Sequence, residues 1–305
     1  MNNNKPLAGV LPIVHTPFTD EDAIDEVSLR RQLDWAFEIG ADGCGTGMVS
    51  EILRLTTPER TRLAHLTPEI VNGRGPVFAS VGAESTAQAI IYAREAENAG
   101  NDALMAIPPT LTGLPEQAQL DYFSALAEAT NLPLIIQDAS AYVGQAIPLE
   151  VLVKLLEKFG PDKILFKPEA APLGPNLSAL RDATDGQAKI FEGSGGILLI
   201  DSFRRGITGT MPGMDLLDGI IEVWRALQAG EDKRAYEIYF PICALSALQM
   251  QAGLDGFLAI EKYLLVKRGL FARANRRQPY KWELDKETQA ETDRLFAMLQ
   301  GHLSA

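Results

Sequence analysis

The chain has little cysteine: Cys44 and Cys243 are the only two in 305 residues, too few for a disulfide framework. Histidine is nearly as scarce. His15, His65 and His302 are the only three, and none joins Cys or Asp at metal-ligand spacing, so no metal site is expected. No uninterrupted apolar run approaches the roughly 18 residues that suggest a membrane span. The polar start Met1-Asn2-Asn3-Asn4-Lys5 lacks the apolar core of a signal peptide. A reducing cytoplasm is therefore the expected location. Basic residues are outnumbered, 28 Lys and Arg against 40 Asp and Glu, for a formal net charge of -12. They form no dense run, so neither nucleic acid nor an anionic membrane is an expected partner. No linker or low-complexity tract separates an independent domain.

What remains is ordinary globular sequence, 46% hydrophobic and 22% charged, long enough for one large α/β domain with an extension. Short apolar runs alternate with longer helical patterns. The runs predict strands over 9–16, 42–47, 77–81, 103–107, 134–137, 164–167, 189–192 and 206–211, each bounded by Gly, Pro, Asp or Asn. Helices are predicted over 27–39, 57–72, 85–99, 116–130, 149–159, 175–183 and 195–204, the first with Val27, Leu29, Leu33 and Phe37 on its apolar face. Glu38-Ile39-Gly40-Ala41-Asp42-Gly43 and Asn98-Ala99-Gly100-Asn101-Asp102-Ala103 are near copies, each a helix ended by glycine and turned into the next strand.

Eight such units in about 220 residues predict an α/β fold, a (β/α)8 TIM barrel, an architecture of roughly 250 residues. A doubly wound open sheet would carry a glycine fingerprint after the first strand, and Leu11-Pro12-Ile13-Val14-His15-Thr16-Pro17 has none. From about Leu216 the pattern turns helical without strands. The expected division is therefore a barrel over 1–215 and a C-terminal helical extension over 216–305, packed on the barrel or on a second subunit, as one structural unit.

Barrel enzymes place their chemistry at the C-terminal ends of the strands. Lys167 closes the run Lys163-Ile164-Leu165-Phe166-Lys167 and is the only lysine at such an end; Lys163 and Lys189 begin their strands. An amine at the rim of an apolar cavity is desolvated, which lowers its proton affinity and makes it a nucleophile. The alternative for Lys167 is a structural ion pair with Glu169 or Glu51. Two glycine turns favour chemistry. Gly47 opens a loop whose backbone N–H groups can cradle a carboxylate, and Gly193-Ser194-Gly195-Gly196 makes a second, expected at a helix start. An amine between two anion-holding loops points to a 2-oxo acid, its carboxylate held by the loops and its ketone joined to the lysine as an imine.

On these residues the chain resembles a known family. Thr16-Pro17, Gly47-x-x-x-Glu51, Phe166-Lys167-x-Glu169 and the glycine pair after strand 7 are similar to the N-acetylneuraminate lyase and dihydrodipicolinate synthase family of Schiff-base barrels, over about Pro6 to Arg268. The resemblance implies a lyase with a covalent lysine imine and no cofactor, assembled as a homotetramer of two dimers. It also exposes departures. Gly47-Met48-Val49-Ser50-Glu51 stands where the synthases have Gly-Thr-Thr-Gly-Glu, so the paired threonines of their proton relay are absent. Gln137-Asp138-Ala139-Ser140-Ala141-Tyr142 replaces the strand-5 Tyr-Asn, with its acid/base phenol and, in the synthases, the following arginine. Thr110-Leu111 replaces the aromatic pair after strand 4. Lysine biosynthesis is not the expected role.

Gln-Asp at strand 5 with Phe-Lys-x-Glu at strand 6 looks more like the dehydratases of 2-keto-3-deoxy sugar acids such as 2-keto-3-deoxy-arabonate. Retro-aldol cleavage needs a base on the C4 hydroxyl, the office of the missing tyrosine; dehydration needs a proton taken from C3 of the imine and an acid for the departing hydroxyl. The expected site follows. Lys167 forms the imine, Glu169 or a lysine-bound water moves protons, and Gln137 orients the hydroxylated tail. Gly47, Met48, Val49 and Ser50 bind the carboxylate, Gly193 and Thr210 bind substrate, and Glu51 props the loop through backbone N–H groups. No metal is assigned, which sets aside a metal-dependent aldolase. His15 is expected to be a satisfied structural histidine, Tyr142 a loop cap or a replacement phenol, Arg204-Arg205 a helix-end feature, and Phe271-Ala272-Arg273-Ala274-Asn275-Arg276-Arg277 a solvated stretch or oligomer contact. Two alternatives stay open: a pyruvate-releasing aldolase, and a barrel that binds a 2-oxo acid without turnover.

Overall fold

The computed structural model describes residues 6–304; the polar start at 1–5, on which the expectation about a leader rests, lies outside them. Strands and helices alternate in the predicted order. β1 (Gly9–Val10) leads to α1 (Glu26–Glu38), β2 (Cys44–Gly45) to α2 (Thr57–Val71), β3 (Val77–Ser80) to α3 (Thr86–Asn98) and β4 (Ala103–Ala106) to α4 (Glu116–Ala129). β5 (Leu134–Asp138) leads to α5 (Leu149–Phe159), β6 (Ile164–Pro168) to α6 (Leu173–Ala183), β7 (Phe191–Glu192) to α7 (Leu199–Arg204) and β8 (Gly209–Thr210) to α8 (Leu217–Ala229). Three further helices follow without strands: α9 (Asp232–Met250), α10 (Leu254–Lys267) and α11 (Lys286–Leu303). This is the (β/α)8 architecture with a C-terminal helical extension. α8, which a division at 215/216 puts in the extension, directly follows β8 and completes the eighth strand–helix pair.

Three local differences from the sequence pattern have simple causes. β1 stops at Val10 rather than running through 9–16, because Pro12 has no N–H for a continuous ladder; beyond it Ile13 makes a single bridge to Gly45. The helix expected from 195 starts only at Leu199, since Gly195 and Gly196 adopt φ of 69° and 98°, a conformation outside any right-handed helix. Val27 is 68% exposed, because in the first turn of α1 the buried face is carried by Leu29, Leu33 and Ala36.

The residues group into two compact units. The first takes in 60–193 and 201–210 with Pro6 and Leu7. Within it β3, β4, β5 and β6 pair in parallel, with Ser80 opposite Met105, Met105 opposite Ile135, Ile135 opposite Leu165 and Gln137 opposite Lys167. A bridge from Phe166 to Ile190 reaches the next strand, and Glu192 of β7 stands opposite Thr210 of β8. Every residue of β3 to β6 is buried, which is why these strands read as apolar runs rather than as alternation. The core is filled by Phe123, Leu126, Ile136, Leu155, Phe166 and Leu177.

The second unit comprises 8–59, 194–200 and 211–304. Here the N–H of Val14 donates to Gly45 O at 2.8 Å, tying the first strand to β2. α9 packs against α8, α10 and α11. A β-carbon on Gly219 of α8 would come within 3.0 Å of Ile242 on α9 and 3.1 Å of Leu299 on α11, so the bare backbone lets three helices approach.

The near-copied connectors do the same work in each unit. Gly40 and Gly100 take φ of 101° and 84° at the helix ends. Two residues later an aspartate turns back on the previous strand: Asp42 Oδ2 accepts from Val10 N and Asp102 Oδ2 from Val77 N, each at 2.8 Å. Among the described residues no helix is long and apolar enough to cross a membrane.

Candidate active site

The sixth strand delivers its lysine as the sequence suggests. Ile164, Leu165 and Phe166 are packed away from water, and β6 ends at Pro168, one residue past Lys167. Strand alternation puts Lys167 and Glu169 on the same side. Lys167 is 4% exposed, and its Nζ lies 3.2 Å from Glu169 Oε1. On the other oxygen, Gln137 Nε2 of the neighbouring strand donates to Glu169 Oε2 at 2.6 Å. Burial raises the proton affinity of the Glu169 carboxyl, opposed by the Lys167 charge and the Gln137 hydrogen bond and reinforced by the charge of Glu192. A carboxylate held in this way can take the ammonium proton and leave a free amine.

Glu192 ends β7 fully buried, and its Oε2 accepts from the Thr210 hydroxyl at 2.6 Å. The next residue explains why a glycine stands there. A β-carbon at position 193 would lie 2.3 Å from Glu169 Oε1 and 2.5 Å from Lys167 Cε, so the bare backbone lets the pair keep its place. Beyond it the Gly193-Ser194-Gly195-Gly196 turn is not at a helix start; Ser194 Oγ accepts from Leu198 N at 3.0 Å instead.

Asp138 closes β5 with a different task. Its Oδ1 accepts from Ser140 N at 2.9 Å and its Oδ2 from Ile147 N at 2.7 Å, pinning both ends of the loop that carries Tyr142. Its backbone carbonyl accepts from Glu169 N at 2.9 Å.

The Gly47 turn belongs to the second unit. Met48–Ser50 forms a single 3-10 turn in which Ser50 N donates to Gly47 O, while the Ser50 hydroxyl accepts from Gly47 N and donates to Val14 O. Thr16 Oγ1 donates to Ser50 O at 2.7 Å. Glu51 follows with a left-handed φ of 58°, its two carboxylate oxygens accepting from Lys262 Nζ and from the backbone N–H of Arg277. Lys262, fully buried on α10, also donates to Thr16 O and Asn275 O, each at 2.8 Å. Arg277 in turn donates to both oxygens of Glu59, a pairing that with Thr56 brings the Glu59 carboxyl down to about 2. The sequence offers no local signal for this lattice: Lys262 sits in an apolar helix and meets Glu51 across 211 residues.

His15 is buried in the same unit, its backbone paired to the Gln32 amide and its Nε2 2.7 Å from Glu261 Oε2. Its Nδ1 has no partner among the described residues. Burial lowers the imidazole to about 4 and raises Glu261 to about 8, so this is a neutral pair near pH 7; burial, with repulsion from Glu261 where that carboxyl is ionised, raises nearby Asp215 to about 7. The two carboxyls keep protons in the folded chain that an unfolded chain loses near pH 4. Their contribution to stability is complete below that pH and is lost as pH rises to 7–8. His15 acts in the opposite sense, gaining stability between about pH 4 and its ordinary 6.5. Above that window, of these three groups only the two carboxyls still change protonation. The melting temperature is therefore expected to fall from about pH 6.5 to about pH 8.5, and Glu261→Gln to flatten the fall; parallel melting curves for parent and variant would contradict this.

The structure thus brings Lys167, Glu169, Gln137 and Gly193 together and binds Thr210 to Glu192, while Gly47, Met48, Val49, Ser50 and Glu51 lie in the second unit, where Gly47, Ser50 and Glu51 are hydrogen-bonded. The described residues include no group of three or more His, Cys, Asp or Glu side chains placed to hold a metal ion.

A family model described as the dihydrodipicolinate synthetase family matches residues 6–298. The chain belongs to that family. Its relatives include the L-2-keto-3-deoxyarabonate dehydratase of Azospirillum brasilense, 28% identical over 293 residues that cover 93% of this chain and 91% of that protein. The 4-hydroxy-tetrahydrodipicolinate synthase of Rhizobium meliloti is 31% identical over 179 residues, 58% of this chain and 55% of that one. Among solved structures, the 4-hydroxy-tetrahydrodipicolinate synthase of Methylacidiphilum fumariolicum SolV superposes with a TM-score of 0.88 at 24% identity, over 98% of each chain, and shares the fold. Members of the dihydrodipicolinate synthetase family are lyases, and so is this chain.

Proposed function

We propose that the chain dehydrates a 2-keto-3-deoxy sugar acid through an imine on Lys167. The observation that carries this is the buried trio of Lys167, Glu169 and Gln137, an amine paired to a carboxylate of raised proton affinity with no phenol between them. Similarity to a dehydratase along nearly its whole length supports the same reading. The Lys167 amine, its proton passed to Glu169, adds to the ketone carbon, and loss of water gives a cationic imine. Its charge acidifies C3. Glu169, again ionised, removes a C3 proton, the C4–O bond breaks, and the departing hydroxyl takes that proton and leaves as water. The conjugated imine loses a C5 proton and is reprotonated at C3. The resulting C4–C5 enol becomes the aldehyde as its hydroxyl proton is lost and C4 gains one, and hydrolysis of the imine releases the semialdehyde and returns the amine.

Gln137 holds Glu169 in line for both transfers. The Gly47–Ser50 turn is assigned to the substrate carboxylate on its sequence pattern; its own bonds use the N–H groups of Gly47, Ser50 and Glu51, which leaves those of Met48 and Val49 for the ligand. Gly193 and Thr210 complete the substrate-binding assignment. This chemistry calls for no cofactor and no metal. A homotetramer of two dimers in the cytoplasm is the accompanying expectation, checked by light scattering and by cell fractionation.

The deciding experiment is a panel of 2-keto-3-deoxy sugar acids. An oxo-acid semialdehyde without pyruvate is the expected product. Pyruvate among the products would replace dehydration by retro-aldol cleavage of the same imine.

A further inference from the structure

We propose, on the reading that the Gly47–Ser50 turn holds the substrate carboxylate, that Lys262 is a positioning residue of that turn, setting the affinity for the carboxylate without taking part in the imine chemistry. Neither the sequence pattern nor the proposed mechanism gives this second buried lysine a task.

Lys262 and the turn lie in the same unit. The lysine is fully buried on α10 among Ile260, Leu264 and Leu265, a costly place for an ammonium. Its contacts offset that cost. One N–H goes to Glu51 Oε1 and the others to Thr16 O and Asn275 O, each of these two at 2.8 Å, while the Phe18 ring lies 4.5 Å from the same nitrogen. An ammonium whose hydrogens are all donated has no lone pair to offer a ketone carbon, so Lys262 is a brace and not a second nucleophile.

Each of its bonds ends on the turn or on a segment that holds the turn. Thr16, whose carbonyl accepts from Lys262, donates through Oγ1 to Ser50 O at 2.7 Å. Asn275 is two residues from Arg277, whose backbone N–H donates to the other Glu51 oxygen at 2.8 Å. Glu51 itself ends the 3-10 turn at a φ of 58°, a left-handed conformation that a residue with a β-carbon keeps only where its surroundings hold it. The bonds from Lys262 and Arg277 are that hold. Glu51 N closes the turn on Met48 O at 3.0 Å, so a shift at Glu51 passes to the peptide groups of Met48 and Val49, the N–H donors assigned to the ligand. Hydrogen bonds to a carboxylate weaken steeply once misaligned.

Pyruvate and methyl pyruvate offer Lys167 the same ketone, one with a carboxylate and one without. Trapping each with cyanoborohydride over a range of concentrations, with peptide mapping by mass spectrometry, gives a half-saturating concentration for each. Lys262→Met, uncharged and of similar length, should raise that concentration about tenfold for pyruvate, the effect of weakening one charge-assisted hydrogen bond, and leave it unchanged for the ester. Thr16→Val, which loses only the hydroxyl donor to Ser50 O, should act in the same direction by less. If Lys262→Met fails to melt cooperatively, because Glu51 has lost its cation, the double variant Lys262→Met with Glu51→Gln removes both charges and should show the same selective loss. Unchanged trapping of pyruvate in a folded variant overturns the role of Lys262. An equal loss for pyruvate and ester overturns it too, since a disturbed carboxylate holder spares the ester; so does an adduct mapped to Lys262. Each of these leaves the imine chemistry standing, whereas absence of a Lys167 adduct in the unaltered protein overturns the proposed function itself.

Discussion

Lys167→Ala is expected to abolish both the borohydride adduct with pyruvate and turnover of sugar acids, by on the order of 10⁴-fold or more, the scale on which loss of a covalent nucleophile is felt. The variant also leaves Glu169 buried without its cation. Because burial already raises the proton affinity of that carboxyl, it will meet the loss by taking up a proton rather than by opening the fold. Lys167→Arg separates the two effects. A guanidinium keeps a positive charge for Glu169 but forms no imine with a ketone, so it should be as inactive as the alanine variant while melting closer to the parent. Mass spectrometry after reduction, with peptide mapping, is the direct measurement. An adduct that persists on another lysine in the alanine variant, or activity within tenfold of the parent, would remove Lys167 from the mechanism.

Gly193→Ala should lower kcat by about 10²-fold while changing stability by no more than about 1 kcal/mol. The added β-carbon would sit 2.3 Å from Glu169 Oε1 and 2.5 Å from Lys167 Cε, and both of those atoms are at the ends of flexible side chains. The backbone need not move, so the fold tolerates the methyl. The reacting groups must move, by about an ångström, and misplacement on that scale is what catalysis tolerates least. Steady-state kinetics beside a urea unfolding curve distinguishes the cases. A large stability loss with normal kcat in the folded fraction would make position 193 structural, and unchanged kinetics would show that the pair has room the structure denies it.

Much of this was legible in the sequence because it is local. An apolar run that ends in lysine and proline can be read as a buried strand with an amine at its rim, and the i, i+2 spacing of Lys167 and Glu169 puts them on one side. The glycine–aspartate connectors were legible for the same reason. What could not be read was pairing at a distance. Gln137 meets Glu169 because β5 and β6 register Gln137 opposite Lys167, and a register one residue different would have sent the amide elsewhere. Glu192 stood at a strand end, but nothing local tied it to Thr210. His15 and Glu261 lie 246 residues apart, and Lys262 looks like one more residue of an apolar helix until Glu51 and two carbonyls are found around it. The start of α7 failed for a backbone reason: glycine composition indicated a turn, while the φ values that delay the helix are tertiary facts.

The hydrogen bonds of Asp138 bear on how this protein could change its diet. One aspartate clamps residues 140 and 147 with its carboxylate and steadies Glu169 with its carbonyl, so the intervening loop and Glu169 are hung from the same peg. Residues between the two clamped amides can be exchanged, lengthened or shortened while the acid stays in place. Selection for a changed substrate would then find its variation there, around Tyr142, and would leave Gln137 and Asp138 untouched.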